Sequence, residues 1–600
     1  MPATATAANR HGPEFREDGR VRFRLWAPAV DDLRIQLGND GLLLPMQRGE
    51  AGWHELLTDR AKVGGFYRFV LPDERRVPDP ASRFQPRDVE GPSELVDLST
   101  WVWTDSGWAG KAWHDAVLYE LHVGTFTREG TFSATIDKLD YLADLGITTL
   151  ELMPVADFPG KRNWGYDGVL LYAPDSAYGR PEELKALIEA AHSRGLMVIQ
   201  DVVYNHFGPA GNYLPLYAPL FFTGRHKTPW GAAVNFDSQG CEAVREFVIQ
   251  NALYWLNDFH FDGLRLDAVH AIVDESPTHI LEELAERVRA GVNREVHLIL
   301  ENENNHSRYL EQGASARPRL FTAQWNDDVH HVLHTAVTGE RQGYYGDYTG
   351  DTEKLGRALA EGFAFQGEIM PYRGDKRGQP SAQLRPTAFV AFLQNHDQIG
   401  NRAFGERISV LTTAAAVRAA AAVYLLLPQI PMLFMGEEWN ATEPFPFFCD
   451  FGPGLADAVR EGRREEFSQF PEFRDPERRK NIPDPQAEST FESAKLRWDD
   501  ITGASQVEWR KWHQRILTTR REHVVPMMMK ITRGGKYRVI GPSAVEVHWQ
   551  AGDAELILSA NLSAAIVHGF PTEPGHVIWQ EGDTGDDGAF GPWTVHWRIS

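Results

Sequence analysis

Cysteine is almost absent: Cys241 and Cys449 are the only two in 600 residues. That excludes a disulfide framework and any Cys-based zinc motif. Basic residues are also short. Lys and Arg total 61 against 83 Asp and Glu, a formal net charge of -22. Such a balance argues against nucleic acid and anionic membranes as partners and suits a neutral one. No apolar run is long and clean enough to span a membrane. The nearest, "AAAVRAAAAVYLLLPQIPMLF" (414–434), is broken by Arg418 and two prolines. The opening "MPATATAANRHGPEFRED" lacks the apolar core of a secretion signal. A cytoplasmic protein is expected. Internal repeats and long low-complexity segments are missing as well.

What is present is length and a change of pattern along it. Six hundred residues exceed one hydrophobic core, so roughly two to four domains are expected. Residues 20–71 carry short alternating runs, "VRFRLWAP", "DLRIQL", "GWHELL" and "GFYRFVL", separated by turn residues. They predict a small antiparallel β-sandwich over 1–98. The proline-rich "VPDPASRFQPRDVEGPSE" (77–94) within it reads as a linker.

From about residue 115 the pattern becomes strand, helix, strand, helix. Apolar strands are predicted at 116–126, 147–155, 196–206, 261–269, 296–303, 320–327, 386–397 and 431–439, most followed by an amphipathic helix. Alternation of this kind implies a parallel sheet, and eight units imply a (β/α)8 barrel over 99–524. The tail returns to short alternating runs, "YRVIG", "AVEVHWQ", "AELILSANL" and "WTVHW". They predict an antiparallel β-domain over 525–600.

In such a barrel the active site lies where the strands end. The third strand ends in Asp201, Asn205 and His206, and the fourth in Arg265, Asp267 and His270. The fifth ends in Glu301, with Glu303 two residues on, and the seventh in Asn395, His396 and Asp397. Several carboxyls and no evident cofactor suit glycoside hydrolysis, which needs one ionised and one protonated carboxyl. Arg265, on the same strand face as Asp267, is expected to lower its pKa and suit it as nucleophile. Glu301 ends the apolar run "VHLIL", a setting expected to raise its pKa and suit a general acid. Alternation puts Glu303 on the same face as Glu301. Asp201 either braces Arg265 or touches sugar, and His396 and Asp397 can also be read as a helix cap. His330 and His334, at i, i+4 in "DDVHHVLH", have spacing that suits zinc, but packing is the better reading, and no metal is expected. The 18 tryptophans offer flat faces for sugar rings, although large cores account for most of them.

"DVVYNH", "GLRLDAVH", "LILENE" and "FLQNHD" resemble, in order and at the matching strands, the four short regions of the α-amylase superfamily, glycoside hydrolase family 13. The resemblance implies Asp267 as nucleophile, Glu301 as acid/base and Asp397 as transition-state stabiliser. Arg265, His206 and His396 would bind substrate, with Asp201 a supporting carboxylate and His270 beside them. "NWGYDGVLLYAP" (163–174) makes Tyr166 the stacking platform for the sugar being cleaved. Within the superfamily, "TPWGAAVNFD", "AQWNDDVHHVLHTAVTGE" and "LQNHDQIGNRAFGERI" resemble the branch that releases trehalose from maltooligosyl-trehalose more than the glycogen branching enzymes. On that reading Trp230, Trp325, Asp327 and Asp328 are candidates for the trehalose-side pocket.

Overall fold

The structure, a computed structural model, describes residues 11–38, 41–313, 318–571, 575–585 and 588–600. Its centre is a closed eight-stranded barrel. The strands are β1 (Leu118–Leu121), β2 (Thr149–Leu152), β3 (Met197–Val202), β4 (Gly263–Leu266), β5 (His297–Leu300), β6 (Ala323–Trp325), β7 (Phe389–Phe392) and β8 (Ile430–Phe434). All neighbours are parallel, and Leu118 of β1 pairs with Met432 of β8 to close the ring. The eight predicted strands are all there, each shorter than its apolar run. Asp267, Glu301 and Asp397 therefore stand just beyond strands rather than within them. Gly263 starts β4 because nothing larger fits: a Cβ there would lie 2.3 Å from the His297 carbonyl oxygen of β5.

Two antiparallel sheets form the N-terminal sandwich, built on Val21–Trp26 with Trp53–Thr58 and on Arg34–Leu37 with Phe66–Val70. Phe23, Leu25, Ile35 and Phe69 fill it. The segment 77–94 is not a linker. Arg76–Val77 and Ser93–Glu94 both pair with Phe66–Val70, and Ser82, Phe84 and Gln85 between them are buried. The prolines shape a packed excursion whose Arg83 guanidinium lies 4.3 Å over Tyr254 and 4.8 Å over Tyr172 of the barrel. This is a contact between the sandwich and the outer helices.

The C-terminal sheet runs Lys536–Gly541, Ala544–Ala551, Ala554–Asn561, Thr594–Ile599, His576–Glu581 in spatial order. The last of these was not anticipated. Trp597 joins the sheet to the barrel by donating from Nε1 to the Ala422 carbonyl at 2.9 Å. Ala422 lies on the helix Ala414–Leu426, which with β8 makes up the longest apolar stretch. No helix among the described residues is long and apolar enough to cross a membrane.

The turn from that helix into β8 is held by one buried side chain. Arg520 donates to the carbonyls of Leu425, Leu427 and Gln429 at 3.0, 2.6 and 2.7 Å. Arg520→Met keeps the bulk but strips three buried acceptors of their donor. A loss of about 3 kcal/mol is expected, read as a lowered unfolding midpoint by calorimetry.

Candidate active site

Three strand ends meet on one arginine. Arg265 rises from β4 and is fully buried at the barrel mouth. Its Nη1 donates to Asp201 Oδ2 at 2.8 Å and to Asp267 Oδ1 at 2.9 Å. Nη2 lies 3.0 Å from Glu301 Oε2. The guanidinium carbon sits 4.1 Å from the centroid of the Trp325 ring. A buried cation is costly alone, and here three carboxylates and an indole face compensate it. The cluster ties β3, β4 and β5 together.

Backbone strain sharpens the arrangement. Ala268, directly after Asp267, is left-handed at φ 40°, a conformation that costs a residue bearing a Cβ. It aims the Ala268 N–H at Glu301 Oε2, 2.7 Å away. Asn205 Nδ2 donates to the other Asp267 oxygen at 3.3 Å.

The opposite wall comes from β7 and β1. Asn395 caps the turn His396–Gly400, accepting from the Gln398 N–H at 2.8 Å. His396 and Asp397 are left to face inward. Glu120 of β1 holds His396 twice: Oε1 lies 2.5 Å from Nδ1, and Oε2 accepts the backbone N–H at 3.0 Å. His396 Nε2 is 3.5 Å from Asp397 Oδ1. Burial opposes charge on His396, but Asp397 and Glu120 prevail and raise its pKa to about 9. Tyr166 donates its hydroxyl to Asp201 Oδ2 at 2.6 Å and stacks on His396 at 5.0 Å. His206 donates from Nε2 to the Tyr166 carbonyl at 3.0 Å. Trp230, half exposed, lies nearly parallel to His206 at 4.4 Å.

The electrostatics differ from the sequence expectation. Burial and the neighbouring Glu301 charge push the Asp267 carboxyl well up. Burial works the same way on Glu301, but Arg265, His270 and the Ala268 N–H bring it below the ordinary value. The expectation had these directions reversed. It gave Arg265 to Asp267 alone, whereas the guanidinium reaches both. Within the pair, protonation is therefore favoured at Asp267 over Glu301.

Residues 96–214 match the alpha amylase catalytic domain family, and 532–597 match a domain family of unknown function, DUF3459. A malto-oligosyltrehalose trehalohydrolase of Saccharolobus solfataricus is 44% identical over 82% of this chain and 84% of its own length. The chain belongs to the malto-oligosyltrehalose trehalohydrolase family. A Salmonella typhimurium crystal structure assigned as an alpha amylase superposes with a TM-score of 0.94, at 44% identity, over 99% of this chain and 100% of that one. A 1,4-alpha-glucan branching enzyme of Streptomyces avermitilis is 33% identical, but over 42% of this chain and 46% of its own.

In this trehalohydrolase-family chain the outer candidates separate. Asp327 opens the helix Asp327–Thr338 half-buried, and burial together with Glu301 pushes it up to about 8. Asp328 does not line the cleft. It is fully buried and accepts from Arg377 Nη1 at 2.8 Å, the Tyr348 hydroxyl at 2.7 Å and the Ala364 N–H at 2.7 Å. Adjacent helical positions point about 100° apart, so only one of the two aspartates can face the mouth. Trp325 does not line a pocket either; it is buried beneath Arg265. Asp201, likewise buried, is taken up by Arg265 and Tyr166 and braces the arginine. Glu303 turns away toward His270 and Arg373, both at 3.6 Å, because the chain leaves β5 at Leu300 and alternation stops. His330 and His334 are packed against Tyr345, and each has a protein partner, Leu393 and Glu340 respectively.

Sequence reasoning missed Glu120. Its signal was a single carboxylate inside the apolar run "AVLYELHV". In Glu120→Gln, His396 should titrate well below its value of about 9, read by NMR of the imidazole. Turnover should fall about tenfold. A raised histidine pKa stabilises the fold fully below about 6.5, and that contribution is lost as pH rises through the folded value. The variant should lose stability below pH 9 and little above it.

Proposed function

We propose that this chain is a retaining glycoside hydrolase that cleaves the α-1,4 bond next to the terminal trehalose of maltooligosyl-trehalose, releasing trehalose and a maltooligosaccharide. The observation that carries it is the Arg265 fork, with Asp267 and Glu301 on adjacent nitrogens at 2.9 and 3.0 Å. A retaining mechanism needs its two carboxyls about 5–5.5 Å apart, and one guanidinium shared between them keeps this pair side by side. An Asp267 oxygen attacks the anomeric carbon as Glu301 protonates the departing oxygen of trehalose. Glu301 then takes a proton from water, which attacks the anomeric carbon and frees Asp267. The glycosidic oxygen, arriving beside Glu301, draws it off Nη2. The pair's proton then passes from Asp267 to Glu301, leaving Asp267 ionised beside the guanidinium to attack and Glu301 protonated to serve the leaving oxygen. Tyr166 is the platform beneath the reacting ring, His396 and His206 hold its hydroxyls, and Asp397 steadies the developing charge. Asp327, whose carboxyl feels the Glu301 charge, is the outer candidate left for the trehalose side.

The proposal needs no cofactor, places the chain in the cytoplasm, and divides it at about 98 and 524 into sandwich, barrel and C-terminal domain. A glycogen branching reaction would pass through the same covalent intermediate, with a sugar hydroxyl replacing water. Family membership favours water.

With maltooligosyl-trehalose, trehalose should appear by chromatography; branching of amylose without it would sink the assignment. Asp267→Ala should lower kcat by about 10⁴-fold or more with the fold retained by circular dichroism. One proton is needed in the carboxyl pair, so kcat/KM should be bell-shaped in pH. Glu301→Gln should flatten the alkaline limb, since loss of the pair's proton can then no longer disable the acid.

A further inference from the structure

We propose a second carbohydrate site, a groove between the barrel and the C-terminal β-domain that takes a segment of neutral α-1,4-glucan. The cavity there has a volume of about 450 Å³, within the range of small-molecule sites. One wall is the first turns of the helices Ala414–Leu426 and Ala504–Thr519, presenting Arg418, Glu508 and Trp509. The other is a pair of loops presenting Glu581, Asp583 and Trp593. None of these residues belongs to the Arg265 cluster. Barrel helices run opposite to their strands, so these first turns lie at the same end of the barrel as the cleft.

The groove is built rather than incidental. Trp593 is left-handed at φ 58°, a costly state for a bulky side chain. The two loops pass close together beside it. Gly582, itself at φ +74°, has no room for a Cβ, which would lie 2.8 Å from the Trp593 carbonyl oxygen. The Trp593 ring packs partly on the core and lines the cavity with its remaining surface. Across from it Arg418 lies 5.0 Å over Trp509 and donates to Glu508 at 2.6 Å. Glu581 is fixed by the Trp512 indole N–H at 2.9 Å.

The chemistry selects the ligand class. Three carboxylates against one guanidinium repel an anion. Indole surface suits the C–H face of a pyranose, and carboxylate oxygens accept from its hydroxyls. The choice of α-1,4-glucan among neutral polyols rests on the function proposed above. A chain held here would raise the local concentration of glucan ends at the cleft.

Calorimetric titration of the full-length Asp267→Asn chain with maltoheptaose tests this without needing turnover. Two sites per chain are expected. Trp593→Ala should remove one of them or weaken it about tenfold or more. The double substitution Glu508→Ala, Asp583→Ala, which leaves core packing alone, should do the same. Neither should alter kcat on a short trehalose-capped maltooligosaccharide in the otherwise native chain. A single site in the parent, or two unchanged sites in both variants, overturns the proposal. So does binding of spermidine at the groove in place of maltoheptaose. If trehalose release fails while the second site persists, only the catalytic assignment falls.

Discussion

The site depends on a cation that cannot leave. Arg265 is sealed between the Trp325 ring and three carboxylates from successive strands. Removing any one partner would leave a charge uncompensated where water cannot reach it, and that makes the cluster rigid. Rigidity here is what places the two carboxyls proposed to do the chemistry. Asp267 and Glu301 are set at fixed positions by two nitrogens of one planar group, and the Ala268 N–H fixes Glu301 from another direction. The barrel supplies the register, with Asp201 opposite Arg265 on paired strands. The guanidinium then converts register into carboxyl placement.

Much of this was legible in the sequence, and the reason is local. Each barrel strand is a short apolar run, and the polar residues that stop the run are the ones that face the mouth. Arg265, Asp267, Glu301 and Asp397 could be read in that way. Residues whose direction depends on a turn could not. Glu303 shares the alternation of Glu301 on paper, but β5 ends at Leu300 and the backbone rotates it outward. Asp327 and Asp328 are neighbours in sequence, yet a helix sends one toward Glu301 and the other into a buried bond with Arg377. Trp325 looked like a pocket aromatic because it stands at a strand end. Its place under Arg265 appears only when β4 and β6 are folded together. Glu120 was hidden differently: its partner, His396, is 276 residues away. The segment 77–94 misled because proline was read as flexibility, whereas proline also suits a chain that must turn inside a packed wall.

The charge balance explains why the pKa directions reversed. Inside the mouth lie Glu120, Glu151, Asp201, Asp267, Glu301 and Asp397, against Arg265 and His396. Six carboxylates crowded beside two cations raise one another's pKa values, so the most buried of them are driven toward their protonated forms. Glu151 is one of these. Both of its oxygens are buried without a hydrogen-bond partner, and burial and Glu120 push it well above the carboxylate range. Asp201 is pulled both ways, up by burial and down by Arg265 and Tyr166, and settles at about 6. In the Asp267–Glu301 pair the same crowding raises Asp267, while Arg265, which touches both, helps to hold Glu301 down.

That surplus of acid is also what the reaction needs. The ground-state sugar is neutral and gains little from a field of carboxylates. An oxocarbenium-like transition state puts positive charge on the anomeric carbon and ring oxygen, where the same field is most favourable. Folding meets the cost of gathering the carboxylates, through Arg265, His396 and the raised pKa values of Glu151 and Asp267. The field is therefore in place before substrate arrives and does not have to reorganise during the chemistry. Had Arg265 neutralised Asp267 alone, as the strand pattern first suggested, the ground state would be quieter and the transition state less well served. A shared arginine leaves an excess of carboxylates at the mouth, a negative potential that on the proposed mechanism falls at the bond to be broken.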